Sequence, residues 1–121
     1  MKILLLIGTG SFVGGIARYL LQQFVQSKFL SAFPAGTLVV NILGCFFIGL
    51  LLGLATRWNL ANEWKLFAAT GLLGGFTTFS AFSNETVGLL RNGQFVYAVA
   101  YILGSVLLGL LATYIGHRLA G

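Results

Sequence analysis

The chain has 121 residues, of which 58% are hydrophobic and only 7% charged. A soluble domain carries roughly 25% charged residues, so this composition excludes a soluble globular protein and implies a membrane protein with little mass outside the bilayer. The formal net charge of +5 comes from scattered lysines and arginines without the clustered stripe that a phosphate backbone requires, which excludes nucleic-acid binding and leaves membrane-flanking anchors.

A spanning helix needs about 20 mostly apolar residues, and four stretches supply them. The first runs from Ile3 to Val25. It passes through Gly14 and Gly15 to Arg18 without a clean small-residue cleavage pattern, so it reads as a retained helix rather than a leader. The second runs from Ala35 to Ala55, behind Pro34, which suits a first helical turn. The third runs from Leu66 to Leu90 and the fourth from Phe95 to His117. The connectors Gln26 to Pro34, Thr56 to Lys65 and Arg91 to Gln94 leave no room for a soluble domain. The expected fold is one all-α, four-helix membrane unit over residues 1–121.

The third stretch carries an anomaly, Gly71-Leu72-Leu73-Gly74-Gly75-Phe76-Thr77-Thr78-Phe79-Ser80-Ala81-Phe82-Ser83-Asn84-Glu85. Adjacent Gly74 and Gly75 each weaken a helix by about 1 kcal/mol relative to alanine. The β-branched and aromatic run from Phe76 to Phe79 favours helix poorly as well. The pattern predicts a helix that breaks partway across the membrane; a distorted helix whose threonines bond back to the preceding turn is the other reading. In hydrocarbon every backbone N–H and C=O needs a partner, so a break must be buried in protein, line water or hold an ion.

Both termini of a four-span chain lie on one side. That side receives Lys2, Arg57, Lys65 and Arg118, and the other receives Lys28 and Arg91, with Arg18 inside the first helix. So little bias leaves a single orientation and insertion either way up equally open. Four helices enclose no wide lumen, so a pathway is expected at a subunit interface. With two insertion orientations, the natural assembly is an antiparallel homodimer with its twofold axis in the membrane plane. The pairs Gly10/Gly14, Gly49/Gly53 and Gly71/Gly75 have the spacing that lets helix backbones approach, and read as packing features.

Chemistry is defined first by what is missing. The two acids, Glu63 and Glu85, lie in a connector and near a helix end, and His117 ends the fourth helix. No Ser/His/Asp or Cys/His grouping can be assembled, so the chain is not expected to be an enzyme. A proton-coupled cation exporter would place an ionisable group at mid-membrane. The single cysteine, Cys45, reads as a small packing residue.

Neutral polar groups remain. Asn41 must be paired in hydrocarbon, either in an interhelical hydrogen bond or along a pore. Tyr101, Ser105, Gly109 and Thr113 recur at four-residue steps on one face of the fourth helix. They form a hydroxyl track interrupted at Gly109, or a small-residue packing seam. Phe79 and Phe82, three apart, offer the electropositive ring edges that meet an anion. Arg18 raises the local potential for anions or snorkels to the interface. Donors, ring edges and a fixed positive charge without a titrating relay suggest passive conduction of a small anion; neither composition nor spacing names it.

Gly14-Gly15-Ile16-Ala17-Arg18-Tyr19, Gly36-Thr37-Leu38-Val39-Val40-Asn41 with Gly44-Cys45-Phe46, and the run from Gly74 to Glu85 resemble the CrcB/Fluc family of fluoride channels. The resemblance implies a dual-topology antiparallel homodimer with two fluoride pores, each lined by both subunits, in the inner (plasma) membrane. Such channels export fluoride passively. It implies pore phenylalanines at Phe79 and Phe82, a pore asparagine at Asn41, and a polar track of Tyr101, Ser105 and Thr113, with Ser80 and Thr78 beside the route. Gly109 departs from the hydroxyl of some relatives. The resemblance also implies a central, non-conducted Na+ held by the backbone carbonyls of Gly74 and Thr77 from each subunit. A small multidrug or guanidinium exporter would need an acid in the first helix, which is absent. A non-transporting assembly factor would need neither Asn41 nor the hydroxyl ladder.

Overall fold

The computed structural model describes residues 1–29 and 31–121. Among these the chain is entirely helical: α1 (Lys2–Gln26), α2 (Ala35–Trp58), α3 (Asn62–Lys65), a π-helical segment (Leu66–Leu73), α4 (Gly74–Phe76), α5 (Phe79–Arg91) and α6 (Phe95–Ala120). Four elements are long and apolar enough to cross a bilayer: α1, α2, the joined stretch Asn62–Arg91, and α6. The chain is a multi-pass membrane protein, and large apolar side chains such as Leu4, Leu107 and Leu119 stand exposed on its outer surface.

One expected boundary needs correction. The connector placed from Thr56 to Lys65 shrinks to three residues, because Thr56, Arg57 and Trp58 continue α2 and Asn62 already begins α3. No glycine or proline stops the helix there. The reversal is made at Asn59, whose backbone is left-handed (φ 52°, ψ 51°), a conformation asparagine tolerates better than most residues. At the other end of α2, Gln26 replaces a conventional cap. Its Oε1 accepts the Gly36 N–H at 2.9 Å and its Nε2 donates to the Phe33 carbonyl at 3.1 Å.

In lipid, apolar burial does not drive one helix onto another, so association rests on close packing through small residues. Two seams do this work. In the first, α1 lies against the π-helical segment. A Cβ built on Gly10 would come within 2.6 Å of the Phe67 carbonyl oxygen, and one on Gly75 within 2.6 Å of the Ser11 carbonyl oxygen. Ser11 Oγ also donates to the Gly71 carbonyl at 3.3 Å. The second seam, α2 on α6, is the most extensive helix contact. Gly49 faces the backbone of Thr113, Gly53 faces Ala120, and Gly116 faces Phe46 and Leu50. The matching order of these partners means that α2 and α6 run parallel. Arg57 Nη1 donates to the Ala120 carbonyl at 3.3 Å, tying the two C-terminal ends. The three glycine pairs named from spacing all lie in these seams.

The third span keeps a single, mildly bent axis. Within it, Thr77 (φ −92°, ψ 157°) and Thr78 (φ −151°, ψ 120°) adopt extended backbone between α4 and α5. The preceding π-helical turns, with bonds from i to i+5, are wider than α turns, and such turns concentrate at functional sites.

Candidate functional site

Leaving the helix at Thr77 and Thr78 frees backbone groups that must be satisfied by something else. Thr78 caps α5 with its own hydroxyl, which accepts the Ala81 N–H at 3.2 Å. Thr77 bonds back to the preceding turn, donating from both N–H and Oγ1 to the Leu73 carbonyl at 3.0 Å. The remaining partners come from other helices. Asn41 on α2 donates from Nδ2 to the Thr78 carbonyl at 3.0 Å and accepts the Thr78 N–H on Oδ1 at 2.9 Å. Arg18 on α1 donates from Nε to the Gly75 carbonyl at 3.3 Å and from Nη1 to Gln22 Oε1 at 3.5 Å. Among the described residues, no backbone N–H outside the helices reaches the carbonyls of Gly74 or Thr77.

These residues border an open groove of about 450 Å³, lined by Asn41, Cys45, Thr77, Thr78, Phe82 and Ser105 together with Gly74 and Phe79. The groove is mainly apolar, with polar atoms at a few points. Phe79 is 78% exposed, although it sits in the middle of a spanning element. Its ring lies 5.6 Å from that of Phe82, which in turn lies 5.0 Å from Tyr101. Tyr101 is fully buried, met edge-on by Phe33 at 5.7 Å, and its hydroxyl donates to Glu85 Oε1 at 3.2 Å. Ser105 Oγ is buried without a hydrogen-bond partner among the described residues.

The structure thus gathers Asn41, Gly74, Thr77, Thr78, Phe79, Phe82 and Ser105 around one groove, with Tyr101 behind Phe82. Ser80 is exposed, its hydroxyl 3.3 Å from that of Thr78. Two residues stand apart. Thr113 lies farther along α6, where its hydroxyl donates to the Cys45 carbonyl at 3.1 Å. Arg18 is spent on Gly75 and Gln22 rather than on the groove. For Asn41 the interhelical hydrogen bond is realised, with backbone rather than side chain as its partner, and the residue lines the groove as well. Glu85, which reads from sequence only as a helix-end acid, is the partner of Tyr101. Its spacing of three from Phe82 places both on one face, and that is the signal in the sequence that points to it.

The family model described as "CrcB-like protein, Camphor Resistance (CrcB)" matches residues 5–117. The chain belongs to the CrcB family. Its similarity to individual members runs nearly end to end. It is 47% identical over 117 residues to a fluoride-specific ion channel FluC of Thermus thermophilus, covering 97% of this chain and 92% of that one. It is 43% identical over 121 residues to the protein of the same name from Oceanobacillus iheyensis, covering 99% and 92%. For a Helicobacter pylori protein of that name the figures are 44% over 113 residues, covering 92% and 87%. All three carry the name of an ion channel, a non-enzymatic function.

Proposed function

We propose that this CrcB-family chain is a fluoride-selective channel, acting as one four-helix unit per subunit in an antiparallel homodimer of the inner (plasma) membrane. The observation that carries the reading is the 43–47% identity, over nearly the whole length, to proteins named fluoride-specific ion channels. The site supports it. A groove at mid-span offers ring edges at Phe79 and Phe82 and polar atoms at Asn41, Thr78 and Ser105. Those are what a small, strongly hydrated anion needs when it sheds water.

Each of two pores would be walled by both subunits. The exposure of Phe79 suits that assembly, because an inverted second copy laid over the groove would turn an open trough into an enclosed conduit. The extended backbone at Thr77 and Thr78 would have its purpose there. Carbonyls released from the helix ladder at Gly74 and Thr77 are hard oxygen ligands, and two inverted copies would bring four together around a central Na+. The donor set fits that ion, since no hydrogen bond across the interruption competes for these oxygens among the described residues. A bound Na+ would cross-link the copies and add a fixed positive charge beside the route. Tyr101, Ser105 and Thr113 would pass the ion along α6, with Ser80 and Thr78 at its side, while Arg18 would hold the Gly75 carbonyl in place. Flow would be passive and outward, down the electrochemical gradient of fluoride.

The test is efflux from liposomes loaded in parallel with fluoride, chloride or guanidinium and read with ion-selective electrodes. Rapid fluoride release with chloride and guanidinium retained supports the proposal. Equal release of chloride refutes selectivity, and release of guanidinium alone refutes the ion.

A further inference from the structure

The hydroxyl track on α6 is interrupted at Gly109, and the structure fills that rung from the opposite helix. A Cβ built on Gly109 would stand 3.4 Å from Cys45 Sγ. Thr37, Asn41 and Cys45 follow one another at four-residue steps along α2, so they share a face. That face runs parallel to Tyr101, Ser105, Gly109 and Thr113 on α6, with Cys45 set against Gly109 and Gly49 against Thr113. The two contacts differ in kind: where α6 has no side chain, at Gly109, α2 supplies a thiol, and where α2 has none, at Gly49, the backbone of Thr113 closes in. One further group marks this seam as a place that expects a polar visitor. Thr37 is 0% exposed with its hydroxyl beside that of Tyr101, whereas the buried hydroxyl of Ser105, at the groove, lacks a partner among the described residues. Buried polar atoms are rarely left unpaired. Cys45, a free thiol, lines the same groove as Asn41 and Ser105.

We propose that Cys45 is a route-lining residue whose S–H takes the place of the hydroxyl missing at Gly109, and that α2, through Thr37, Asn41 and Cys45, forms the second wall of the polar track. This rests on the fluoride-channel reading. The thiol is a weak donor, able to point at an anion beyond Ser105 without holding it tightly. The track then extends one rung past Ser105, with its donors shared between two helices.

Four proteins reconstituted in liposomes test this: the wild type, Cys45→Ser, Cys45→Ala, and Cys45→Ala combined with Gly109→Ser. Serine and alanine leave nearly the same space, so lost packing affects both alike, whereas only serine donates. Cys45→Ser is expected to pass fluoride within about twofold of the wild type, and Cys45→Ala roughly tenfold more slowly, the size of one withheld hydrogen bond. The double variant, with a hydroxyl returned from α6 into the vacated space, is expected to recover most of the rate. Equal rates for Cys45→Ala and Cys45→Ser would overturn the proposal, as would a double variant no faster than Cys45→Ala at unchanged size-exclusion elution. If Cys45→Ala does not purify, the isosteric pair Cys45→Thr and Cys45→Val replaces it, and equal rates for that pair overturn the proposal. A wild type that passes no fluoride overturns the channel reading itself, and this inference with it.

Discussion

Asn41 and Thr78, on different spans, exchange two hydrogen bonds: Nδ2 to the Thr78 carbonyl at 3.0 Å, and the Thr78 N–H to Oδ1 at 2.9 Å. The amide behaves toward Thr78 as a neighbouring strand would, and this lets an extended residue exist in the middle of a membrane element. Leucine or alanine could not do this, and aspartate would lack the donor.

Asn41→Ala therefore leaves two backbone groups of Thr78 without partners. Each buried unsatisfied group costs about 1–3 kcal/mol, so the variant is expected to lose about 2–6 kcal/mol of stability. Its fluoride efflux is expected to fall sharply. Denaturant unfolding in detergent and liposome efflux check the pair; a variant as stable as the wild type would show the exchange to be dispensable.

The rings of Phe79 and Phe82 lie 5.6 Å apart at the groove. Phe79→Ile and Phe82→Ile keep apolar bulk but remove the electropositive edges. Each is expected to cut fluoride efflux several-fold, because the electropositive ring edge that meets an anion is gone, while size-exclusion elution is unchanged. Undiminished flux in either would remove that ring from the route.

A Cβ on Gly14 would collide with the Leu72 carbonyl, whereas nothing lies within 4 Å of one on Gly104. Gly14→Ala is expected to cost about 1–3 kcal/mol, as overpacking does. Gly104→Ala is expected to stay within about 0.5 kcal/mol of the wild type. Thermal midpoints in detergent compare them, and similar values would mean that the α1 seam is not tightly packed.

Near-balance of basic residues on the two sides predicts that tags at the C-terminus are found on both faces of the membrane. Protease or impermeant-label accessibility in intact and opened cells reads this directly. Accessibility at one face alone would end the antiparallel assembly.

The spans were legible because hydropathy over about 20 residues suffices to place a membrane helix. Residues 56–65 misled because polar side chains imitate a connector, while the turn needed only Asn59. The π-helical turns left no trace in sequence, since they arise where the third span packs against α1. Asn41 was recognisable as a residue needing a partner, but which partner depended on the extended backbone at Thr78, a feature of the folded chain. Cys45 looked inert by itself; its place opposite Gly109 depends on the register of α2 against α6, which no local pattern encodes.

The most direct measurement is the reversal potential of the reconstituted protein in a planar bilayer, with a tenfold fluoride gradient and equal chloride on both sides. A fluoride channel predicts reversal near the fluoride equilibrium value, about 59 mV in magnitude. Reversal at zero, or a value that follows an imposed chloride gradient instead, would contradict the account.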